Sequence, residues 1–407
     1  MASSYLWQKQ ALTYGFNQTL PSEYLTDNDL KSQINQWQKL NTTETNVARA
    51  AIDRLGQLTP LTFTEASGNS GDIRFNVIYI PGDTAGFAYM PTNGGVTAVE
   101  GDVFLDSEMR SQYKFAAGDQ GYMTVWHELG HAMGLEHPFE GTYTLSKSLD
   151  NWANSIMSYT PSKSLVLKFT ASGNSANVAA DYNAAPADFT LLDVAALQAM
   201  YGANTNYATG DNTYSVDAVN KKTLTIWDAG GNDTIDASTA TGQSIIDMRA
   251  GQLASIDIQT IAMQAAVTKA YYQSMGLNGM DSWVDSVYAT PDYASKLYTG
   301  ENNLVITYGT IIENVKTGAG NDTVKDNAVN NTITTGSGDD AIYLGRGGFD
   351  TVNGGSGTDT VYLEVLKADV QTGKLDNGNF LLVGSGFAAE LIGVEQIRYG
   401  NGEIFTV

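Results

Sequence analysis

The sequence predicts an α+β chain, with a compact domain of mixed helix and strand over residues 1–205 and an all-β parallel β-roll over 206–407. Three observations predict it. Helix-period and strand-period patterns alternate up to about residue 205, and a Gly/Asp-rich nonapeptide repeat dominates the remainder of the chain. All three histidines of the 407-residue chain also fall within the single stretch "TVWHELGHAMGLEHPFEG".

In the first half, "NTTETNVARAAIDRLGQLT" opens with the Asn41 to Glu44 spacing of a capping box. It carries Val47, Ala51 and Leu55 on one side, which predicts an amphipathic helix. "PLTFTEA", "DIRFNVIYI" and "GFAYM" alternate or run apolar at strand length. "TLLDVAALQAMYGAN" reads as a further helix stopped by Gly202. In the second half, "TGAGNDTVK", "TGSGDDAIY", "LGRGGFDTV" and "NGGSGTDTV" hold Gly, Gly, Asp and an aliphatic residue at nearly constant offsets. Asp322, Asn331, Asp340, Asp350 and Asp359 follow at nine, nine, ten and nine residues, and "WDAGGNDTID" is an outlying copy around Asp233. Glycines make tight turns that bring carbonyl oxygens inward, and Asp adds carboxylate oxygens. Val324, Ile333, Ile342, Val352 and Val361 fill a narrow core. A flexible linker of this composition would not keep those aliphatics in register. Calcium, which takes six to eight oxygens, would be shared by adjacent turns.

Composition narrows the partners. The chain is 42% apolar, enough for two cores, and carries 22 basic against 44 acidic residues, a net charge of −22. That sign excludes nucleic acid and anionic membrane as natural partners and suits metal cations. No stretch of about 18 apolar residues predicts a membrane span. The start, "MASSYLWQKQALTYGF", lacks a basic segment followed by an apolar one, so a cytosolic protein, a mature form, or export by another signal is expected. Cysteine is absent, so a zinc ion here would sit on His, carboxylate or Tyr.

His127 and His131 are four apart, which places both imidazoles on one helix face, with Glu128 beside the first. Gly134 would end the helix and turn the chain back, so that His137 approaches from outside it, and Pro138 keeps the helix from resuming. Three protein ligands leave a position open, as in a catalytic zinc site. A structural zinc closed by Glu136 or Glu140 is the competing reading, but nothing in it requires Glu128.

HExxHxxGxxHP followed by "SIMSY" resembles the metzincin zinc proteases, with Met157 in the place of their Met-turn. "LLDVAALQAMYGAN", "TIWDAGGNDTID" and "IIENVKTGAGNDTV" are similar to the serralysin branch in particular. The resemblance implies a zincin-like protease domain with a twisted sheet and an active-site helix, one catalytic Zn2+ and several structural Ca2+. It gives His127, His131 and His137 to zinc, makes Glu128 the general base, and makes Tyr159 an additional zinc ligand that swings away to stabilise an oxyanion. Met157 becomes a packing floor. Gly86, Phe87, Ala88 and Tyr89 fall on the edge strand that would pair with an extended peptide. Calcium would be held around Asp228, Gly230, Gly231, Asp233 and Glu313, then at Gly318, Gly320 and Asp322, at Gly336, Gly338 and Asp340, at Asp350, and at Gly355, Gly357 and Asp359.

Expected partners are protein or peptide substrates, a proteinaceous inhibitor and a type I secretion apparatus that reads the C-terminal "GEIFTV". The expected form is a secreted, extracellular monomer. Two departures stand out. Asn327 and Val329 replace the glycines of the Asn331 turn, while Arg346 and an extra residue before Asp350 break the repeat, so fewer ions are expected. Residues 258–303 read as an insertion, helical and then aromatic-rich, expected to cap the roll's end, with a substrate or partner surface as the alternative. A calcium-dependent binding or adhesin module with a structural or vestigial zinc site is the alternative function.

Overall fold

The computed structural model describes residues 2, 5–27, 30–34, 36–93, 98–141, 144–173, 175–182, 184–216 and 222–407. Strand β1 (Ala11–Phe16), helix α1 (Thr42–Leu58), β2 (Thr62–Glu65), β3 (Ile73–Ile78), β4 (Gly86–Ala88), β5 (Val103–Asp106), the single turn α2 (Met109–Gln112) and α3 (Gln120–Ala132) come first. They precede a pair of strands, β6 (Leu165–Ser172) and β7 (Ser175–Tyr182), and helix α4 (Leu191–Tyr201). The chain forms two compact units, residues 1–164 with 182–207 and residues 165–181 with 208–407.

In the first unit the sheet order is β2-β1-β3-β5-β4. Its pairings are parallel except the last, where β4 runs antiparallel to β5 with Phe87 opposite Phe104. β3 is buried along its whole length, as a central strand must be, and β4 is an edge. Helix α1 starts with the reciprocal box that its sequence predicts. Asn41 accepts from the Glu44 amide at 3.0 Å, and Glu44 accepts from the Asn41 amide at 2.8 Å. Val47, Ala51 and Leu55 are buried, and the buried Glu44 carboxylate is also met by Arg110 at 2.7 Å.

The second unit continues with β8 (Thr213–Tyr214), β9 (Leu224–Ile226), β10 (Thr234–Asp236), β11 (Gln243–Asp247) and β12 (Gln252–Ile258). Helices α5 (Ile261–Ser274), α6 (Asp281–Tyr288) and α7 (Pro291–Ala294) come next, then β13 (Leu304–Ile306). The repeats form β14 (Asn314–Lys316), β15 (Thr323–Lys325), β16 (Thr332–Thr334), β17 (Ala341–Leu344), β18 (Phe349–Asn353) and β19 (Thr360–Leu363). β20 (Gln371–Lys374), β21 (Phe380–Gly384), β22 (Phe387–Ile392), β23 (Gln396–Arg398) and β24 (Ile404–Thr406) complete the unit.

Successive repeats switch sheets. β14, β16 and β18 pair in parallel in one sheet, and β15, β17 and β19 in the other. A nine-residue repeat therefore makes half a coil. Asn314 pairs with Thr332, eighteen residues on, but Thr332 pairs with Thr351, nineteen on. The extra residue is taken up in the turn 345–350, where Gly345, Gly347 and Gly348 all have positive φ. The strands stay in register and Val324, Ile333, Ile342, Val352 and Val361 are fully buried in one core, as the repeat predicts.

Residues 258–303 form α5, α6 and α7, which pack on β6 and β7. Tyr272, Val284, Tyr288 and Leu297 make a cluster against Leu167 and Phe169, and the Phe169 ring stacks on Tyr288 at 5.4 Å. The Tyr272 hydroxyl lies 3.1 Å from the carbonyls of both Thr170 and Asn177. Residues 165–181, which the sequence reading puts in the span 1–205, fold here with a segment nearly a hundred residues later.

Turn glycines in the roll are under direct steric demand. Gly357 has φ +138°, and a Cβ there would lie 1.9 Å from the Gly338 carbonyl oxygen, whereas Gly378, at φ +90°, has open space around it. Gly357→Ala is expected to cost about 3 kcal/mol, because both backbone and neighbour must shift. Gly378→Ala should cost about 1 kcal/mol from its backbone conformation alone. Urea unfolding in saturating calcium measures the difference.

Candidate active site and metal centres

Helix α3 ends in a Schellman motif. The Leu135 amide donates to Gly130 O at 2.9 Å and the Gly134 amide to His131 O at 2.8 Å, with Gly134 at φ +88° as its sequence position predicts. Two further helix-end carbonyls are met by side chains, Ala132 O by the Trp7 indole at 3.0 Å and Met133 O by the Tyr201 hydroxyl at 2.8 Å. The reversal carries His137 back to the helix. Its Nε2 lies 3.2 Å from His127 Nε2 and 3.0 Å from His131 Nε2.

Each ring is oriented through its other nitrogen. His127 Nδ1 donates to Ile156 O at 2.9 Å, His131 Nδ1 to Leu135 O at 2.7 Å, and His137 Nδ1 to the Glu140 carboxylate at 2.9 Å. These acceptors assign the Nδ1–H tautomer and leave three Nε2 lone pairs converging on one point. Three acceptors at this separation repel unless a cation lies between them. Zinc–nitrogen bonds of about 2.0–2.1 Å at tetrahedral angles hold nitrogens about 3.3 Å apart, close to the spacings here. Burial lowers the imidazole pKa values, to about 3 for His127 and about 4 for His131, so both are neutral, as ligands must be. The three rings are the only His and carboxylate cluster of this type among the described residues, and they fit a zinc ion.

Glu128 is fully buried beside the cluster. One carboxylate oxygen has no hydrogen-bond partner, and burial pushes its pKa up to about 8. Gly86 on β4 makes room for it, since a Cβ at that position would stand 2.9 Å from Glu128 Cγ. Phe87 and Tyr89 turn their rings onto Phe104, with the Phe87 stack at 5.0 Å, while Ala88 pairs with Val103. A cleft of about 300 Å3 lies between Gly86, His127, Glu128, Trp152 and Tyr159. Tyr159 is 64% exposed at its mouth, with its ring 5.8 Å from that of His127 and 4.6 Å from that of His137.

Met157 is fully buried beneath the histidines, so close to helix α3 that a Cβ on Gly130 would meet its sulfur at 2.6 Å. The turn that carries it is held by Asp193, a residue that the sequence reading does not single out. Its carboxylate accepts from Ser155 Oγ at 2.7 Å, the Ile156 amide at 2.8 Å, and the amide and hydroxyl of Thr190 at 2.9 and 3.0 Å. Burial raises its pKa to about 6, so it is ionised at neutral pH, the state that four donors require. Its sequence signal was the Thr190-x-x-Asp193 capping box of α4.

In the roll, Gly320, Gly336, Gly338, Gly355 and Gly357 all have positive φ, as do Gly230 and Gly231. Gly318 does not, but a Cβ there would lie 2.4 Å from Ala240 O. The aspartates share one pattern, in which one carboxylate oxygen accepts an amide of the preceding coil. Asp322 accepts from Ser244, Asp340 from Asp322, Asp350 from Asn331, and Asp359 from Asp340, at 2.6–3.0 Å. The other oxygen of each, and of Asp233, is buried without a partner. Burial raises all of these pKa values, Asp322 and Asp359 to about 6 and Asp350 to about 7. Bare buried carboxylate oxygens beside turned-in carbonyls need a hard cation, so the donor set fits calcium. Asp228 accepts from Tyr214 and Gly230, and Glu313 from the Asp233 amide at 2.7 Å. Glu395, outside any repeat, takes the same role toward the Asp359 amide at 2.7 Å, and no glycine pair in its sequence announces it.

Comparison with known proteins finds three matching families. Residues 6–155 match the family described as Matrixin, 191–288 match Peptidase M10 serralysin C terminal, and 317–348 and 344–364 match the RTX calcium-binding nonapeptide repeat. The chain is 29% identical to Serralysin of Proteus mirabilis, over 56% of this chain and 51% of that protein. Metallopeptidase AprA of Pseudomonas marginalis is 28% identical over 77% of this chain and 59% of its own length. Serralysin A of Dickeya chrysanthemi is 29% identical over 70% and 53%. The chain spans about half the length of the relatives it matches.

Two substitutions separate orientation from folding. Glu140→Gln removes the charge behind the exposed side of His137 and is expected to lower zinc affinity about 10-fold, with the melting temperature of the metal-free protein unchanged. Asp193→Ala deletes four buried hydrogen bonds and should cost about 3 kcal/mol in stability together with zinc affinity. Competition with a fluorescent chelator and thermal unfolding read the two effects.

Proposed function

We propose that this chain, which combines matrixin, serralysin C-terminal and RTX calcium-binding segments and so belongs with the serralysin-type M10 metalloproteases, is a secreted zinc endopeptidase. The observation that carries the reading is the convergence of three bare Nε2 atoms next to a buried, unpartnered Glu128 oxygen in an open cleft. Zinc held by His127, His131 and His137 would supply Lewis acidity to a scissile carbonyl and to the attacking water.

The chain's own groups account for the rest. β4 offers the free edge of its sheet, so an extended peptide can add as a strand through backbone hydrogen bonds, which makes for broad side-chain tolerance. Gly86 keeps that strand close to Glu128. Glu128 takes the proton of the water at its free oxygen and returns it to the leaving amine nitrogen, and burial, which favours the protonated carboxyl, suits it to hold that proton in between. The Tyr159 hydroxyl, at the cleft mouth, donates to the developing oxyanion. The Nδ1 acceptors hold each imidazole in one tautomer throughout. Calcium bound to the folded roll stabilises that unit by mass action.

Glu128 argues against the binding-module alternative, because a structural or vestigial site has no use for a buried acid with a bare oxygen. Casein hydrolysis tests the choice. Glu128→Ala is expected to lower kcat by about 10^3-fold or more with zinc content retained, and Tyr159→Phe by about 10^2-fold with little change in KM. A zinc chelator in calcium-replete buffer should abolish activity. A folded, zinc-loaded wild type with no activity on casein or gelatin would reject the broad endopeptidase reading.

A further inference from the structure

One turn of the roll is built unlike its neighbours. The turns 317–322, 335–340 and 354–359 each contain positive-φ glycine and end in an aspartate with a bare buried oxygen. The turn 326–331, "DNAVNN", has no residue at positive φ. It ends in Asn331, whose carboxamide is fully engaged. Asn331 Nδ2 reaches Glu313 O at 3.2 Å and Asn327 Oδ1 at 3.0 Å, and its Oδ1 accepts from the Asn327 amide at 3.2 Å. Asn327 Nδ2 donates to Met248 O at 3.2 Å and Ile312 O at 2.7 Å.

These contacts do what an ion does elsewhere in the roll. A calcium ion gathers carbonyl oxygens from adjacent coils; here two carboxamide NH2 groups gather them instead. The first residue of the turn, Asp326, is fully buried and carries a charge that needs a partner. It finds one in the next coil. Arg346 Nη1 lies 2.8 Å from Asp326 Oδ1, and the amides of Gly345 and Arg346 donate to Oδ2 at 2.8 and 3.0 Å. Arg346, which reads as an irregularity in the repeat, thus neutralises the acid that the glycine-poor turn introduces. Asp350, at the end of the turn 345–350, keeps a bare buried oxygen of its own.

We propose that the turn 326–331 binds no calcium and is closed by the chain itself, with the Asn327 and Asn331 carboxamides and the Arg346 guanidinium in the ion's place. The roll then takes its calcium at the turns that end in an aspartate with a bare buried oxygen, 317–322, 335–340, 345–350 and 354–359, while the turn 326–331 holds its register without contributing a ligand. The inference rests on the calcium reading of those turns, and the experiment separates the two.

The test is urea unfolding of the full chain across a calcium series, because the slope of stability against the logarithm of free calcium counts the ions released on unfolding. Asp340→Ala is expected to lower that slope by about one ion. Asn331→Ala and Arg346→Ala should lower the unfolding midpoint at every calcium concentration and leave the slope at its wild-type value. Arg346→Lys and Asn331→Ser serve where the alanine variants fail to fold. A smaller slope in the Asn331 or Arg346 variants would overturn the proposal, as would unchanged midpoints in both. An unchanged slope in Asp340→Ala would reject the calcium reading of its turn and leave the 326–331 variants to be judged on their own.

Discussion

The hydrogen bond from His127 Nδ1 to Ile156 O joins helix α3 to the turn that carries Met157, and the geometry of the three-histidine cluster depends on it. It fixes one ring directly. It also ties the ring to Asp193, because the same Ile156 residue gives its amide to that carboxylate. The chain of contacts runs from the N-terminus of α4, through one buried acid, to the nitrogen that faces the other two histidines. A metal site needs rings held to within a fraction of an ångström, and helix α3 alone supplies only two of them on a common face. The Schellman turn supplies the third and Asp193 supplies rigidity beneath.

Both halves of the protein place buried groups where they are incomplete by themselves. Three imidazole lone pairs converge in one unit, and five aspartate oxygens lie buried and bare in the other. Each arrangement opposes folding until a cation arrives, since desolvated charges and facing acceptors carry an electrostatic cost. The elevated pKa values of Asp322, Asp350 and Asp359 express that cost as proton affinity. An excess of acid over base, 44 residues against 22, suits a fold whose missing charge comes from solution.

Much of this was legible in the sequence because the relevant spacing is local. The i, i+4 histidines, the Gly134 stop, the Asn41 box and the aliphatics of the repeat are all set by helical or nonapeptide period. What was not legible depends on contacts between distant segments. Asp193 reads as an ordinary helix cap until the chain brings Ser155 and Ile156 to it. Gly86 reads as a strand residue, and only the packed sheet shows that Glu128 requires its missing side chain. The strands at 165–182 alternate like any surface pair; their partners are aromatic residues from the segment 258–303, which periodicity cannot supply.

The irregular repeats obey the same logic in reverse. A motif reading scores Asn327, Val329 and Arg346 as losses, because it compares each position with a glycine or an aspartate. Physically, what a turn requires is that inward carbonyls meet a positive group and that no buried acid stay alone. A carboxamide satisfies the first and a guanidinium the second, each with fixed stoichiometry and no dependence on the calcium concentration. Loss of a turn glycine therefore becomes tolerable where a donor arises one coil away, as Arg346, from the turn that carries the extra residue, meets Asp326.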